Sequence, residues 1–301
     1  MRFRHGFPAA VQRIAVVLAL AAAAVSTRAA DSGLTLKVAA RAIEPGELMV
    51  VTVTTPADAT SVSVSAFGRR AGAYKTGDRR YEALLGVDLD QAEGEFSLSA
   101  EAQTAAGSST ASRTITVRPK TFRTRTLRVD PTFVNPAPEL LERIERENAL
   151  LQQVYASSDP ARLWSAPFVR PVPQPANSAF GTRSVFNGEP RSPHAGTDFL
   201  SPAGTRVKAP NAGRVVVARD LFFSGNTVVI DHGLGLFSLL AHLSRIDVHE
   251  GDLVERSALI GLVGATGRVT GPHLHWAVRA ADARVNALSL LALLGGPAAA
   301  P

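Results

Sequence analysis

The chain contains no cysteine, which excludes disulfides and thiolate metal ligands. Its stability must come from packing or from metal, and any metal site must be built from His, Asp or Glu. Long hydrophobic runs are also missing. Ile14 to Val25 and Val285 to Leu294 are the extended apolar stretches, and both are too short for an ordinary membrane span. An excess of positive charge is largely missing too. Residues 1–30 hold four arginines and no acid, so the formal charge of +6 falls to +2 over the remainder. With aromatics at 6%, nothing points to the basic, aromatic-studded face of a nucleic-acid binder. What is present is 46% hydrophobic and 19% charged residues in 301, the composition of a globular protein long enough for two domains.

Arg2, Arg4 and Arg13, the apolar run, and the small residues around Ala29 and Ala30 follow the pattern of a secretory signal peptide over residues 1–30. An exported, periplasmic or envelope-associated protein is expected, without a stable membrane span after cleavage. Residues 31–120 alternate in short strand-like runs, such as Val62-Ser63-Val64-Ser65, broken by turns at Glu44-Pro45-Gly46, Gly77-Asp78 and Gly107-Ser108. That pattern predicts an antiparallel β-sandwich-like domain. Residues 121–176 hold the end of a basic strand, a helix and a proline-rich link. The basic stretch Arg113–Arg128 reads as a charged strand edge or as an attractor for an anionic polymer. Pro138 to Ser157 has helical spacing, with Leu140, Leu141, Ile144, Leu151, Val154 and Tyr155 on one face suited to packing between domains. Pro167, Pro171, Pro173 and Pro175 predict a stiff extended link. From 177 to 296, glycine-rich turns alternate with short apolar strands, so the chain as a whole is expected to be mainly β.

Six of the seven histidines fall between His194 and His275. In Gly271-Pro272-His273-Leu274-His275-Trp276, a strand period of two puts both imidazoles on one face. In Arg191-Ser192-Pro193-His194-Ala195-Gly196-Thr197-Asp198, the proline and glycine argue for a loop running into a strand, from which His194 and Asp198 can converge on one ion. His242 ends the apolar run Leu236–His242, where an imidazole must be hydrogen-bonded or functional.

Together and in this order these stretches resemble the lysostaphin/LytM-type zinc metallopeptidases, which cut peptide bonds in bacterial peptidoglycan. The resemblance runs over roughly residues 177–290. It includes Phe180-Gly181-Thr182-Arg183, Pro202-Ala203-Gly204, Ile230-Asp231-His232-Gly233, Ala241-His242-Leu243-Ser244 and Gly264-Ala265-Thr266-Gly267. It implies one zinc ion held by His194, Asp198 and His275, with His242 and His273 handling the catalytic water and the developing charge. It assigns no metal role to His232, expected in a hairpin turn, or to His249, expected in a surface turn. The family often has a tyrosine two residues before the third-motif histidine; Leu240 stands there. The implied activity is zinc-dependent hydrolysis of peptidoglycan stem peptides or cross-links. The alternative is a regulatory module that activates a cell-wall amidase, with an envelope protein as partner. The proline-rich link would also permit the N-terminal domain to dock over the active-site groove.

Overall fold

The computed structural model describes residues 33–128, 137–177 and 180–296; the expected signal segment lies outside them. The first seven strands are β1 (Thr35–Ala39), β2 (Leu48–Thr54), β3 (Ala59–Ala66), β4 (Arg69–Gly77), β5 (Arg80–Gly86), β6 (Gly94–Thr104) and β7 (Gly107–Val117). After them come β8 (Thr124–Leu127) and helix α1 (Pro138–Ala156). The histidine-bearing part comprises β9 (Arg183–Phe186), β10 (Glu189–Pro190), β11 (Gly196–Phe199), β12 (Arg206–Lys208), β13 (Gly213–Leu221), β14 (Gly225–Asp231) and β15 (Leu236–Ile246). It continues through β16 (Leu253–Val254), β17 (Leu259–Val263), β18 (Leu274–Ala280), β19 (Ala283–Val285) and helix α2 (Ala287–Leu294). The mainly β architecture with large antiparallel sheets is as the sequence predicts.

The first seven strands pair in the order β1-β2-β5-β4-β3-β6-β7, every pairing antiparallel. β4 pairs with β3 through its first half and with β5 through its second, so one strand passes between two halves that share a core. Met49, Val51, Val53, Val64, Leu85, Leu98 and Ala100 fill that core. β4 is the strand that alternation alone does not reveal, because Arg69–Gly77 has few apolar residues.

Leu48, Val50 and Leu84 point the other way, into a second core with Trp276, Val278, Val285 and Leu290. This explains why Leu48-Met49-Val50-Val51 is apolar without alternation: the strand is covered on both faces. The covering is close. A side chain at Gly86 would lie 2.6 Å from Ala283 and Val285. Leu48 N donates to Ser289 Oγ at 2.9 Å, and Asn286 N to Gly46 O at 2.8 Å. Arg284 grips Asp88 with two nitrogens. Burial opposes that carboxylate, but the Arg284 hydrogen bonds outweigh it and hold its pKa at about 2.

The proline-rich segment, expected as a stiff extended link, is a strap packed on the second core. Trp164, Phe168 and Val172 are buried, and Phe168 N donates to Leu294 O. α1 also differs from the expected interdomain position. Leu151, Val154 and Tyr155 pack on Val217, Val229 and Phe237 of β13, β14 and β15, and no residue of the helix is fully buried. Arg143 ties the helix to Asp220 at 2.8 Å, and Glu147 accepts from Phe222 N at 2.7 Å. Within the helix Arg146 pairs with Glu142 and Arg143 with Glu147. In the basic stretch, Arg118 pairs with Glu44 and Lys120 with Glu47, and β8 pairs in parallel with β9.

His232 sits in the turn between β14 and β15. It donates from Nδ1 to Ala212 O at 2.8 Å, and its Nε2 lies 2.9 Å from Ser238 Oγ. It is wholly buried, which pushes its pKa down to about 4. A histidine depressed in the folded state contributes stability above its unfolded pKa of about 6.5 and loses it as pH falls toward the folded value. The expected contribution is about 3 kcal/mol, lost between about pH 6.5 and pH 4. Urea midpoints across that window should fall more steeply for the wild type than for His232→Asn; parallel curves would exclude a neutral buried His232.

Candidate metal centre

The large sheet runs β11-β18-β15-β14-β13-β16, with β19 on β18 and β17 against β15 and β12. One face of β18 carries Leu274, Trp276, Val278 and Ala280 into the core. The other presents His275, Ala277 and Arg279 to a groove. The groove has a volume of about 1190 Å³ and runs between this sheet face and α1, with Asn148, Leu151 and Tyr155 on the helix side. Among the described residues, none from the seven-stranded sheet lines it. A helix, α1, borders this groove opposite the sheet.

β11 and β18 are antiparallel with Asp198 directly opposite His275. Cross-strand partners share a face at close range, so this register alone joins a carboxylate to an imidazole. His275 Nδ1 lies 3.0 Å from Asp198 Oδ1. His194 precedes β11 in a loop pinned by His194 N to Thr182 O (3.0 Å) and Gly181 N to His194 O (2.8 Å). Its Nε2 lies 3.1 Å from Asp198 Oδ1 and 2.9 Å from His275 Nδ1. Three donor atoms thus form a nearly equilateral triangle. Donors about 2.0–2.1 Å from a tetrahedral zinc stand about 3.3 Å apart, so a slight widening of this triangle is all that such an ion requires. Two imidazoles and one carboxylate leave a fourth position for water or substrate. Among the described residues this is the one His/Cys/Asp/Glu grouping with that geometry.

Gly196 makes room for the cluster. A Cβ there would lie 2.4 Å from the His275 ring. Sequence reading gives this glycine only a turn role, and the close approach is visible only in three dimensions.

His242 reaches the same face by a β-bulge. β15 pairs Ala241 with His275, so in a regular strand His242 would point away from the site. The β14–β15 register shifts between Asn226 and Val228, and His242 has φ +64°. The extra residue turns its ring toward the cluster, with centroids 4.9 Å from His273 and 5.8 Å from His275. Left-handed backbone at a non-glycine residue costs about 1–3 kcal/mol and collects at functional sites. His242 Nδ1 lies 2.9 Å from Thr266 O, an acceptor only, so Nδ1 carries the proton and Nε2 keeps its lone pair. Thr266 is fixed in turn: Oγ1 donates to Leu243 O at 2.8 Å and accepts from Asn226 N at 2.9 Å. Its threonine is quoted within the family-like stretch, but its role as a clamp appears only in the structure.

His273 Nδ1 is likewise oriented by Gly271 O at 2.9 Å, and its Nε2 stands 3.7 Å from Asp198 Oδ1. Leu240 is buried on the core side, away from the groove. His232 and His249 lie outside the cluster, the latter an exposed residue beside Asp252.

Burial shapes the charges. It opposes the Asp198 carboxylate, but hydrogen bonds from His194 and His275 outweigh it and hold Asp198 well below the usual carboxylate range. Burial lowers His275, and burial together with the nearby His275 lowers His242 to about 3. The result is an ionised carboxylate beside two imidazoles, His275 and His242, biased toward the neutral form, which is the protonation state a cation selects.

A β-rich groove ending in an Asp between two histidines defines a protein with a candidate metal centre. Residues 192–287 match the model of peptidase family M23. A solved structure of an M23 protein from Pseudomonas aeruginosa is 34% identical, with TM-score 0.65, over 82% of this chain and 94% of that one. The chain belongs to peptidase family M23. Among curated relatives, it is 47% identical to peptidoglycan DD-endopeptidase ShyA of Vibrio cholerae over 97 residues, 32% of this chain and 23% of that protein. It is 41% identical to DD-carboxypeptidase/endopeptidase Mpg of Neisseria meningitidis over 97 residues, 32% and 22% of the two chains. The matches thus span less than a quarter of these curated relatives.

Gly196→Ala should tilt the His275 ring and weaken zinc affinity by about 10–100-fold, the usual cost of disturbing ligand orientation. Competition with a chromophoric chelator measures it; an unchanged affinity would show that the ring has room elsewhere.

Proposed function

We propose that the chain is a zinc-dependent endopeptidase that hydrolyses peptide bonds in peptidoglycan stem peptides or cross-links. The carrying observation is the triangle of His194 Nε2, Asp198 Oδ1 and His275 Nδ1, flanked by two further imidazoles of fixed orientation. In this reading His194, Asp198 and His275 hold one zinc ion, which supplies Lewis acidity when bound: it acidifies water and polarises a carbonyl.

The protein's own groups do the rest. His242 accepts the proton of the attacking water at Nε2, because Thr266 O holds the other nitrogen and burial keeps the ring neutral. His273 turns Nε2 toward the same point. Because Nδ1 is bonded to Gly271 O, His273 donates from Nε2 only as the imidazolium, in which form it stabilises the developing oxyanion; the leaving amine takes the proton that His242 removed from water. Thr266 and Gly271 are the positioning groups, each holding a ring by its backbone carbonyl. The groove alongside accommodates an extended peptide between the sheet and α1. Among the described residues no helix is long and apolar enough to cross a membrane. The names of the curated relatives support a substrate in the cell wall, and an exported or periplasmic location belongs to the same reading.

Incubation with purified sacculi and mass spectrometry of the released muropeptides tests this. The wild type should release peptides with a newly freed amine, lose activity to a chelator and regain it with zinc. His242→Ala and His273→Ala should retain zinc and lose about 10²–10⁴ in kcat, the range for general acid–base groups. His194→Ala and His275→Ala should lose the metal. Zinc-loaded wild type that leaves sacculi unchanged would reject the proposal.

A further inference from the structure

The histidines and Asp198 leave the charge on the neighbouring groove wall without a role. Arg125, Arg128, Arg191 and Arg268 line the same groove as His194, His242 and His273. Most acids near it are already engaged. Glu189 pairs with Arg191 at 2.6 Å, Glu147 with Arg143 at 2.6 Å, and Asp282 with Arg279 at 2.8 Å. Arg125 is bonded to a neutral group, Ser184 Oγ, at 3.0 Å. Among the described residues, neither Arg125, Arg128 nor Arg268 has a carboxylate within ion-pair distance.

Arg268 is the most constrained of these. Its backbone N donates to Phe223 O at 2.9 Å. Its guanidinium lies over Phe223 at 4.4 Å and Phe186 at 5.7 Å from the ring centroids. Stacking occupies the faces of the group and leaves its in-plane N–H donors for a ligand. Burial, and then the neighbouring Arg191, lower its pKa. A half-desolvated cation beside a second one, with no counter-charge, is an arrangement that an anion relieves. The planar fork matches a carboxylate bidentately. Two residues before it, Thr266 orients His242, so the group belongs to the loop that builds the reaction centre.

We propose that Arg268, reinforced by the charge of Arg125 and Arg128, is a specificity-determining residue that binds a free carboxylate of the peptide substrate beside the scissile bond. This rests on the reading of the groove as a peptide-hydrolase site.

The test uses zinc-loaded full-length protein carrying His273→Ala to suppress turnover. Fluorescently labelled soluble muropeptides serve as probes, either native or with their carboxylates converted to amides by carbodiimide and ammonia. The native form should bind about tenfold more tightly, the scale of a hydrogen-bonded charge pair. Adding R268Q should bring the ratio close to one, and R268K should retain part of it. An equal affinity of the two forms in the starting protein would overturn the proposal. So would a wild-type ratio in R268Q, or equal weakening of both forms, which marks a structural role only. Sacculus cleavage by the unmutated chain is scored separately: cleavage with no carboxylate preference removes Arg268 from recognition and leaves the endopeptidase reading standing.

Discussion

The opposition of Asp198 and His275 across the β11–β18 ladder is the constraint on which the rest of the site depends. A slip of one residue would send His275 into the core and bring Trp276 out, because strand faces alternate. The same register fixes His273, two residues earlier, on the groove face. It sets Gly196 under the His275 ring and makes Ala241 the small neighbour on the next strand. His242 is then supplied by local irregularity, one bulged residue with left-handed backbone. Hydrogen-bonded regularity places the candidate ligands, and a departure from regularity places the candidate base.

The rest of the chain holds that register in place. The core behind β18 is shared with β2 and β5, so the seven-stranded sheet supports the histidine-bearing sheet from behind. A side chain at Gly46 would lie 2.3 Å from Phe180, and one at Gly181 would lie 2.1 Å from Phe122. Both glycines have positive φ, and the loop they border carries the hydrogen bonds that pin His194. The Arg284–Asp88 pair and the α2 N-cap Asn286, which also accepts from Thr197 Oγ1 at 3.1 Å, add polar ties along the same seam. Such partly buried pairs are worth more for fixing geometry than for net stability.

Electrostatics at the site follow from this burial. An isolated carboxylate at Asp198 would be expensive, and its ionisation is sustained by the imidazoles that face it. The pKa values of His275 and His242 are themselves lowered by desolvation. The cluster is therefore balanced toward one ionised acid and neutral rings. Further along the groove the balance reverses, with arginines outnumbering the acids available to them. The groove thus carries an ionised acid beside imidazoles at one end and uncompensated positive charge next to it.

The histidines were legible from sequence because their spacing carries physical meaning: period two for His273 and His275, and a proline–glycine loop for His194 and Asp198. The mainly β fold was legible for the same reason, as was α1 by its helical spacing; the terminal apolar run, which forms α2, was equally compatible with a strand. β4 was not, since a strand with few apolar residues leaves little periodic signal. α1 forms where its spacing places it, but it packs on β13, β14 and β15. Composition by itself determined that metal, if bound, is bound without thiolates, and short-range pattern determined which side chains share a strand face. Only the tertiary structure decided that Asp198 meets His275, that a bulge turns His242 inward, that Thr266 clamps it, and that α1 and Arg268 wall the groove. These are contacts between residues far apart in sequence, set by register and packing, and no local pattern encodes them.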